Sequence, residues 1–562
     1  MTAKNDRAEL AADQSLGVGN ALTTLAAKAR GLDLPTLSFD TDVDVEFGGK
    51  PAWEDFTLAE LDTRVRARAA ALHTAGVRPR DPVAVWVTTG ADQVLGYLAL
   101  ARLGAIPALM NSHLTPDIAA EYIRRLRASR VLTDTAHRAL LAGHETGAPL
   151  LDDVAQLGAA DPDSAPAPYR HHADEPVVIT HSSGTTGLPK AVAHSHHGLF
   201  ASVRHRLSLP KPQGLNRMLG ALPPAHAATV IAVNLALTNR VRLAVLSGQS
   251  GPYVLDAVER WRPECVLGFA ATWSELAAED LDSRALDSVR TWWNTGDCAH
   301  EAHIRRLVAV GSRDAVGPNG RTTRPGSFFI DGLGSTEMGH SQFFITHTPD
   351  TDRYGRCVGK PHAFSRIAVF GPEGERLGPG EVGQLGVSAP TLALGYWNDS
   401  VTTHRTRRDG YFLTGDLVYR DEAGFYYHVD REVDSVELPD GKRLFTMMAE
   451  ERVLAACPAV RECTVVAVRE EKPEAESGDG PRPEVTTSVL LMLADGADRD
   501  ADRTAEVLAA LEPHVAATVR RVVVVSPDRI PLGPTGKVRK ITLRERFLSG
   551  EPLAEPTGVS AG

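Results

Sequence analysis

Cysteine is scarce in this chain: five residues in 562, at Cys265, Cys298, Cys357, Cys457 and Cys463, none in paired Cys-x-x-Cys spacing. An odd, scattered set excludes a disulfide framework or a zinc site as the organiser of the fold, and a reducing cytosol is the simplest compartment. Long apolar runs are missing too. The opening MTAKNDRAELAADQS has no apolar core of a secretory signal, and no stretch of about 18 apolar residues follows, so no integral membrane association is expected. Attachment through a surface patch stays open. Excess positive charge is also absent, since 60 Lys and Arg face 71 Asp and Glu for a formal charge of −11. That balance does not favour a nucleic-acid partner, although a local basic patch could still hold phosphates. No internal repeat is visible.

What is present is the balance of a globular protein, 43% hydrophobic and 23% charged residues. The length is too great for one ordinary core, so two or three domains are expected. DPVAVWVTTG reads as a strand from Pro82 to Thr88, and Val94, Tyr97, Leu98 and Ala101 follow at helical spacing up to Gly104. AIPALMN gives the next strand, and EYIRRLRASRVLTD another helix and strand. Such alternation predicts an α/β fold with a parallel or mixed sheet covered by helices. A second region begins near Asp430, with a helix over Ala449–Ala456 and strands over Cys463–Val468 and Arg521–Val525. Between them REEKPEAESGDGPRPE has no core-forming residues and reads as a long surface loop, or else as a linker between two further domains. Residues 1–18 and 551–562 are polar and are expected to be disordered.

The most informative segment is THSSGTTGLPK, Thr180 to Lys190, placed directly after the strand pattern EPVVI. Glycines let backbone approach an anion closely, and hydroxyls and free N–H groups offer short donors. Ser183, Gly184, Thr185, Thr186 and Gly187 are therefore candidate phosphate contacts, with Lys190 adding a mobile positive charge. The string is not the GxxxxGK[ST] loop, because its lysine follows Pro189 and no Ser or Thr comes next.

SSGTTGLPKAVAHSH resembles the phosphate-loop signature of the adenylate-forming superfamily, which includes acyl-CoA synthetases, firefly-type luciferases and peptide-synthetase adenylation domains. The resemblance continues in order through LPPAHAA (222–228), GLGSTEMG (332–339), GEVGQLGVSAPTLALGYW (380–397), YFLTGDLVYRDEAGFYYHVDR (411–431) and PLGPTGKVRK (531–540). It covers roughly residues 40–550. It implies a large N-terminal domain over 19–430 and a small, mobile α+β domain over 431–550. The reaction implied is attack of a carboxylate on the α-phosphorus of ATP, giving an acyl-adenylate and pyrophosphate. A thiol of CoA, or of phosphopantetheine on a carrier protein, then takes the acyl group.

The same resemblance implies roles residue by residue. Glu337 matches the Mg²⁺-linked glutamate, and Thr336 the residue that hydrogen-bonds the α-phosphate, with Gly334 and Ser335 in the same nucleotide loop. Asp416 matches the ribose-binding carboxylate, and Arg431 the arginine near the domain junction. His226 matches the position that gates the carboxylate pocket. Lys537 matches the lysine of the small domain that reaches between carboxylate and α-phosphate, where one ammonium can stabilise both approaching anions.

Several positions depart from the family pattern. Leu333 stands where an aromatic residue usually stacks on adenine, so adenine would lose a stacking partner and gain only an apolar contact, and the adenine turn reads Gly296-Asp297-Cys298. Asp297 either accepts from the adenine amine or caps the helix AHEAHIRRL. The hinge reads DREVD, with Val433 where Asp or Lys is usual. PPAHAAT lacks the aspartate with which peptide-synthetase domains hold an α-ammonium group, which argues for a small-molecule acid that is not an α-amino acid, aromatic or fatty. Of Trp273, Trp292 and Trp293, at least two are expected in the core and the remainder in a pocket wall. An alternative keeps adenylation but activates nitrite and diazotises an aromatic amine. A decayed member that only binds nucleotide is the non-enzymatic reading, which retention of Lys190, Glu337 and Lys537 disfavours.

One outcome follows from the lysine assignment. Lys537→Ala is expected to slow pyrophosphate release by about 10²–10³-fold, the range for loss of one preorganised charge at a transition state. Adenylate formation at an undiminished rate, followed by continuous pyrophosphate assay, would remove Lys537 from the reaction.

Overall fold

The structure, a computed structural model, describes residues 3–29, 31–182, 188–210, 214–317, 320–470, 484–533, 538–549 and 551. The opening segment, expected to be disordered, forms a helix over Ala3–Ala12, with Asp6 paired to Arg240 and Arg7 donating to the carbonyls of Arg206 and Leu209. Its polar composition hid three apolar anchors, since Leu10, Leu16 and Val18 are all buried. Arg204 clamps it by donating to the carbonyls of Ala11, Asp13 and Leu16 at 2.9, 2.7 and 2.6 Å. The tail 552–562 and residues 471–483 of the charged segment lie outside the described residues.

The expected alternation is present. Strands Pro82–Trp86, Ile106–Leu109 and Arg130–Thr133 run parallel and are connected by helices Gly90–Arg102 and Pro116–Leu126. Thr89 caps the first of these helices by accepting from the Asp92 N–H. Helix Pro116–Leu126 starts with proline at its first position and ends at Arg127 in the left-handed region. The phosphate-loop hairpin, Pro176–Ser182 paired antiparallel to Lys190–Ser195, and the edge strand Gly395–Tyr396 complete this six-stranded sheet. Ser182 lies directly opposite Lys190, so both ends of the glycine-rich loop are fixed by the ladder although Ser183–Gly187 lie outside the described residues.

A second, larger mixed sheet has a parallel centre made of Phe328–Asp331, Thr291–Asn294, Cys265–Gly268, Arg217–Ala221, Arg242–Val245 and Pro35–Phe39. An antiparallel run through Phe343–His347, Cys357–Pro361, Tyr426–Arg431 and Tyr411–Arg420 extends it. Parallel strands covered on both faces are near-continuously apolar, and Cys265–Gly268 and Met218–Ala221 are wholly buried. Trp273 and Trp292 are fully buried and meet edge to face at 5.9 Å, as expected for two of the three tryptophans.

The smaller C-terminal domain packs helix Thr446–Ala456 on a sheet of Val460–Glu470, Glu484–Leu493 and Val519–Val524. Its link to the large domain is polar and mostly buried. Asp430 accepts from both the N–H and the hydroxyl of Thr446, and Lys540 bonds Thr446 and Glu450, each at 2.7 Å. Glu451 accepts from the Glu301 N–H at 3.0 Å, at the start of helix Glu301–Ala309, and pairs with His300. A carboxylate there meets unsatisfied N–H groups and the positive end of the helix dipole. No helix among the described residues is long and apolar enough to cross a membrane.

The His300–Glu451 pair makes this docking depend on pH. Burial would lower the His300 pKa, but Glu451 more than offsets it and raises it above 6.5, while His300 in turn helps hold Glu451 below its ordinary 4.5. The histidine contribution is full below pH 6.5 and fades as pH rises through the raised value; the glutamate contribution is present above pH 4.5 and fades as pH falls. Protection of the 430–435 junction against limited proteolysis is therefore expected to peak between these limits. Glu451→Gln should flatten the alkaline limb, and an identical profile in that variant would reject the pair as its cause.

Candidate active site

Among the described residues, several that the sequence singles out lie beside one another. His226 is the N-cap of helix Ala227–Asn239, its Nδ1 accepting from the Ala228 N–H at 3.1 Å. A lone pair at Nδ1 leaves the proton of the neutral ring on Nε2, 3.3 Å from the Thr336 hydroxyl. Phe269 holds the ring edge to face at 4.8 Å. The imidazole is thus oriented by a helix end, an aromatic ring and a hydroxyl.

Thr336 and Glu337 sit on a loop that the fold grips tightly. Gly339 is in the left-handed region at φ +67°, and a Cβ there would lie 2.0 Å from the Thr391 carbonyl oxygen, so only glycine lets the loop turn. The Thr391 hydroxyl donates to the Met338 carbonyl at 2.8 Å, and the Ala393 N–H to that of Glu337 at 2.9 Å. Tyr396, a few residues on, donates its hydroxyl to the Glu337 carboxylate at 3.1 Å. The same tyrosine ring lies beneath Lys190, whose ammonium is 5.3 Å from the centroid. Burial, then the Glu337 charge and hydrogen bond, raise the Tyr396 pKa, so the phenol stays a donor.

Asp416 and Arg431 are cross-strand partners, with the Arg431 Nε 3.6 Å from the carboxylate. A charge chain runs inward from them. His428 Nε2 is 3.6 Å from Asp416, His428 Nδ1 is 3.4 Å from Asp297, and the Arg356 guanidinium is 3.3 Å from Asp297. Burial would lower the His428 pKa, but the carboxylates on both sides raise it; burial would raise Asp416, but His428 and Arg431 hold it below the ordinary carboxylate value. Burial likewise disfavours charge on Arg431, which Asp416, Asp297, Asp434 and Glu337 outweigh. The influence of Glu337 on Arg431 joins this chain to the Lys190–Tyr396–Glu337 group.

Two expectations are corrected by this geometry. Asp297 does not cap the helix Glu301–Ala309, whose start is served by Glu451; it bonds the Cys298 N–H at 2.9 Å and pairs with Arg356 and His428. Leu333 is 2% exposed among Cys298, Met338 and Phe343, so it belongs to the core and offers the cleft little surface. Gly296 accepts from the Gly334 N–H at 2.8 Å, which ties the adenine turn to the Ser335–Glu337 loop.

Lys537 and Ser183–Gly187 lie outside the described residues, but the lysine's flanks are placed. Leu532 and Val538 form an antiparallel bridge, and Lys540 is buried against Glu450. Sequence reasoning did not assign Tyr396, although it stands in the quoted string GYW, nor Arg356, His428 and Asp331. Buried Asp331 accepts from Asn294 at 2.6 Å and from the N–H groups of Gly332 and Ala299 at 2.8 and 3.2 Å. It thereby fastens two neighbouring strand ends to the turn before helix Glu301–Ala309, and burial pushes its pKa up to about 6 against those donors.

Among the described residues no cluster of three or more His, Cys, Asp or Glu could hold a metal by itself. A single carboxylate, Glu337, fits Mg²⁺, which keeps most of its shell for phosphates and water. Beside the polar cleft lies an apolar cavity whose wall includes Val203, Leu222, His226, Ile231, Leu235 and Trp293.

Asp416→Asn removes one of the two carboxylates facing His428 and the cross-strand partner of Arg431. The KM for ATP is expected to rise about 10–100-fold, the range for loss of charged hydrogen bonds. Steady-state kinetics with a circular-dichroism melt of each protein checks it, and an unchanged KM would take Asp416 out of nucleotide binding.

The family model described as "AMP-binding enzyme" matches residues 39–397. A 3-aminoavenalumate diazotase of Streptomyces sp is 43% identical over 561 residues, 99% of this chain and 100% of that protein. A feruloyl-CoA synthase of Amycolatopsis sp is 28% identical over 492 residues, 87% of this chain and 94% of that protein. The crystal structure of the anthranilate CoA ligase AuaEII in complex with anthranoyl-AMP superposes with a TM-score of 0.79 at 19% identity, over 98% of this chain and 100% of that one, which shows the shared fold. The chain belongs to the AMP-binding enzyme family, within the adenylate-forming superfamily.

Proposed function

We propose that the protein adenylates a small carboxylic acid that is not an α-amino acid, with an aromatic acid favoured, and passes the acyl group to a thiol of CoA or of a carrier protein. The observation that supports this is the closeness of Lys190, Tyr396 and Glu337, of Thr336 and His226, and of Asp416 and Arg431, with His226 also lining an apolar cavity. Asp416 accepts from the ribose hydroxyls, and Lys190 with Ser183–Gly187 holds the phosphates. Asp297 lies beside the adenine turn, but its pairing with Arg356 and His428 gives it first a structural part in that wall. Bound through Glu337 and the phosphates, Mg²⁺ supplies Lewis-acid neutralisation of the triphosphate.

A carboxylate oxygen attacks the α-phosphorus and the bond to pyrophosphate breaks. Thr336 donates to the α-phosphate, His226 keeps its Nε2 proton at the cavity mouth, and Lys537 bridges the two anions. In the second step the thiolate sulfur attacks the acyl carbon, and AMP leaves with the former carboxylate oxygen. Five free, buried cysteines suit a reducing cytoplasm.

A second reading is favoured by the full-length relative at 43% identity, a diazotase. Here nitrite oxygen attacks the α-phosphorus, pyrophosphate leaves, and an aryl amine nitrogen attacks the nitrosyl nitrogen to release AMP. Loss of water from the nitrosamine, with a proton taken up, gives the diazonium group.

Pyrophosphate release measured with aryl and arylalkenoic acids, and with nitrite plus aminoaryl acids, with and without CoA, tests both. The first reading expects acid-dependent pyrophosphate and a CoA thioester in the product mass spectrum. Nitrite dependence with a diazo product and no need of thiol selects the second. Silence across the whole panel rejects both.

A further inference from the structure

The apolar cavity contains a charge that neither adenylation nor thiol transfer uses. Arg206, on helix Ala201–Ser208, lines it together with His226 and Trp293, and its guanidinium carbon stands 4.9 Å from the Trp293 ring centroid. Among the described lining residues it is the one permanently charged side chain, and none is Asp or Glu. Among the described residues no side chain or backbone group accepts a hydrogen bond from the guanidinium, whose one ring partner is Trp293. Burial lowers its pKa, and the Cys265 thiol nearby, itself pushed up to about 12, offers no counter-charge at neutral pH.

The imidazoles around it do not dilute that charge. Burial pushes His340 down to about 4 and His362 down to about 3, with Arg206 adding to both shifts, and His205 is lowered as well. His340 Nδ1 lies 2.6 Å from the Ser341 carbonyl, which fixes its neutral tautomer. Arg206 is thus a fixed positive charge in a half-apolar wall, an arrangement that is costly until an anion meets it.

Its position along the cavity is readable from the strands beneath. Arg206 lies over Trp293, the strand partner of Leu267, whereas His226 packs on Phe269, two residues further along the chain. The two side chains therefore stand over different points of the same cavity wall.

We propose that Arg206 is a specificity-determining anchor that selects aromatic substrates carrying a carboxylate at the end remote from the reacting atom, held by paired N–H···O bonds against the face of Trp293. This rests on the reading of the cavity as the organic-substrate pocket. Under thiol transfer the anchored group is a second carboxylate; under diazotisation it is the unreacted carboxylate of an aminoaryl acid, whose amine then points toward His226.

Arg206→Met and Arg206→Lys test it with matched pairs: 4-carboxycinnamate against 4-methylcinnamate, and, with nitrite, 3-aminocinnamate against its methyl ester. In Arg206→Met the ratio of KM for the charged member to KM for the neutral member is expected to rise about tenfold or more, the scale of a bidentate charged contact, with kcat little altered. Arg206→Lys should restore part of the ratio. Parallel rises for both members, or no change in the ratio, overturns the proposal. If the wild-type protein turns over neither pair, the proposed function fails separately. Calorimetric binding of 4-carboxycinnamate and 3-aminocinnamate to the AMP-bound protein then reads the anchor directly: weaker binding by Arg206→Met supports it, and equal affinities overturn it.

Discussion

The alternation of charge from Arg356 through Asp297, His428 and Asp416 to Arg431 is the constraint around which the nucleotide cleft is built. Arg356, His428 and Asp416 are buried and Asp297 partly so, and an isolated ion in that interior would cost several kcal/mol. Each of the three inner members has an opposite charge on either side. The chain therefore fixes more than its own side chains. Arg356 comes from the turn before strand Cys357–Pro361, Asp297 from the adenine turn, and the remaining three from two neighbouring antiparallel strands. Moving any of these segments would separate opposite charges, so the turn at residues 296–298 and Asp416 hold a common position.

From that frame the site grades from polar to apolar across one histidine. On one side lie Lys190, Tyr396, Glu337 and Arg431, with the donors and charges suited to a polyanion. On the other is a wall of aliphatic side chains and Trp293, suited to a ring. His226 stands where they meet, fixed by a helix end so that its proton faces Thr336. A reaction between two anions requires this division, because charge must be neutralised at the phosphorus while water is kept from the activated intermediate.

Much of this was legible locally. A glycine- and hydroxyl-rich turn after a strand carries its own chemistry, and helices such as Gly90–Arg102 carry their periodicity and caps in adjacent residues. The split among tryptophans was legible in part: neighbours on a strand face opposite ways, so Trp292 enters the core while Trp293 lines the cavity. Of the two readings of Asp297, the helix cap rested on the usual place of a carboxylate just before a helix, whereas its partners Arg356 and His428 are distant in the chain. The opening helix escaped notice because its anchors are sparse among polar residues and its clamp, Arg204, lies far along the sequence.

By itself the sequence determined the alternating α/β character, the family, and the order of residues able to handle a triphosphate, since those depend on short-range patterning and on motifs a few residues long. Only the tertiary structure decided which charges neutralise one another, why Leu333 faces the core, and that Glu451 supplies the cap that Asp297 does not. Ion pairing and burial act through space. Their partners are set by which strands the sheet brings side by side, and no local spacing encodes that.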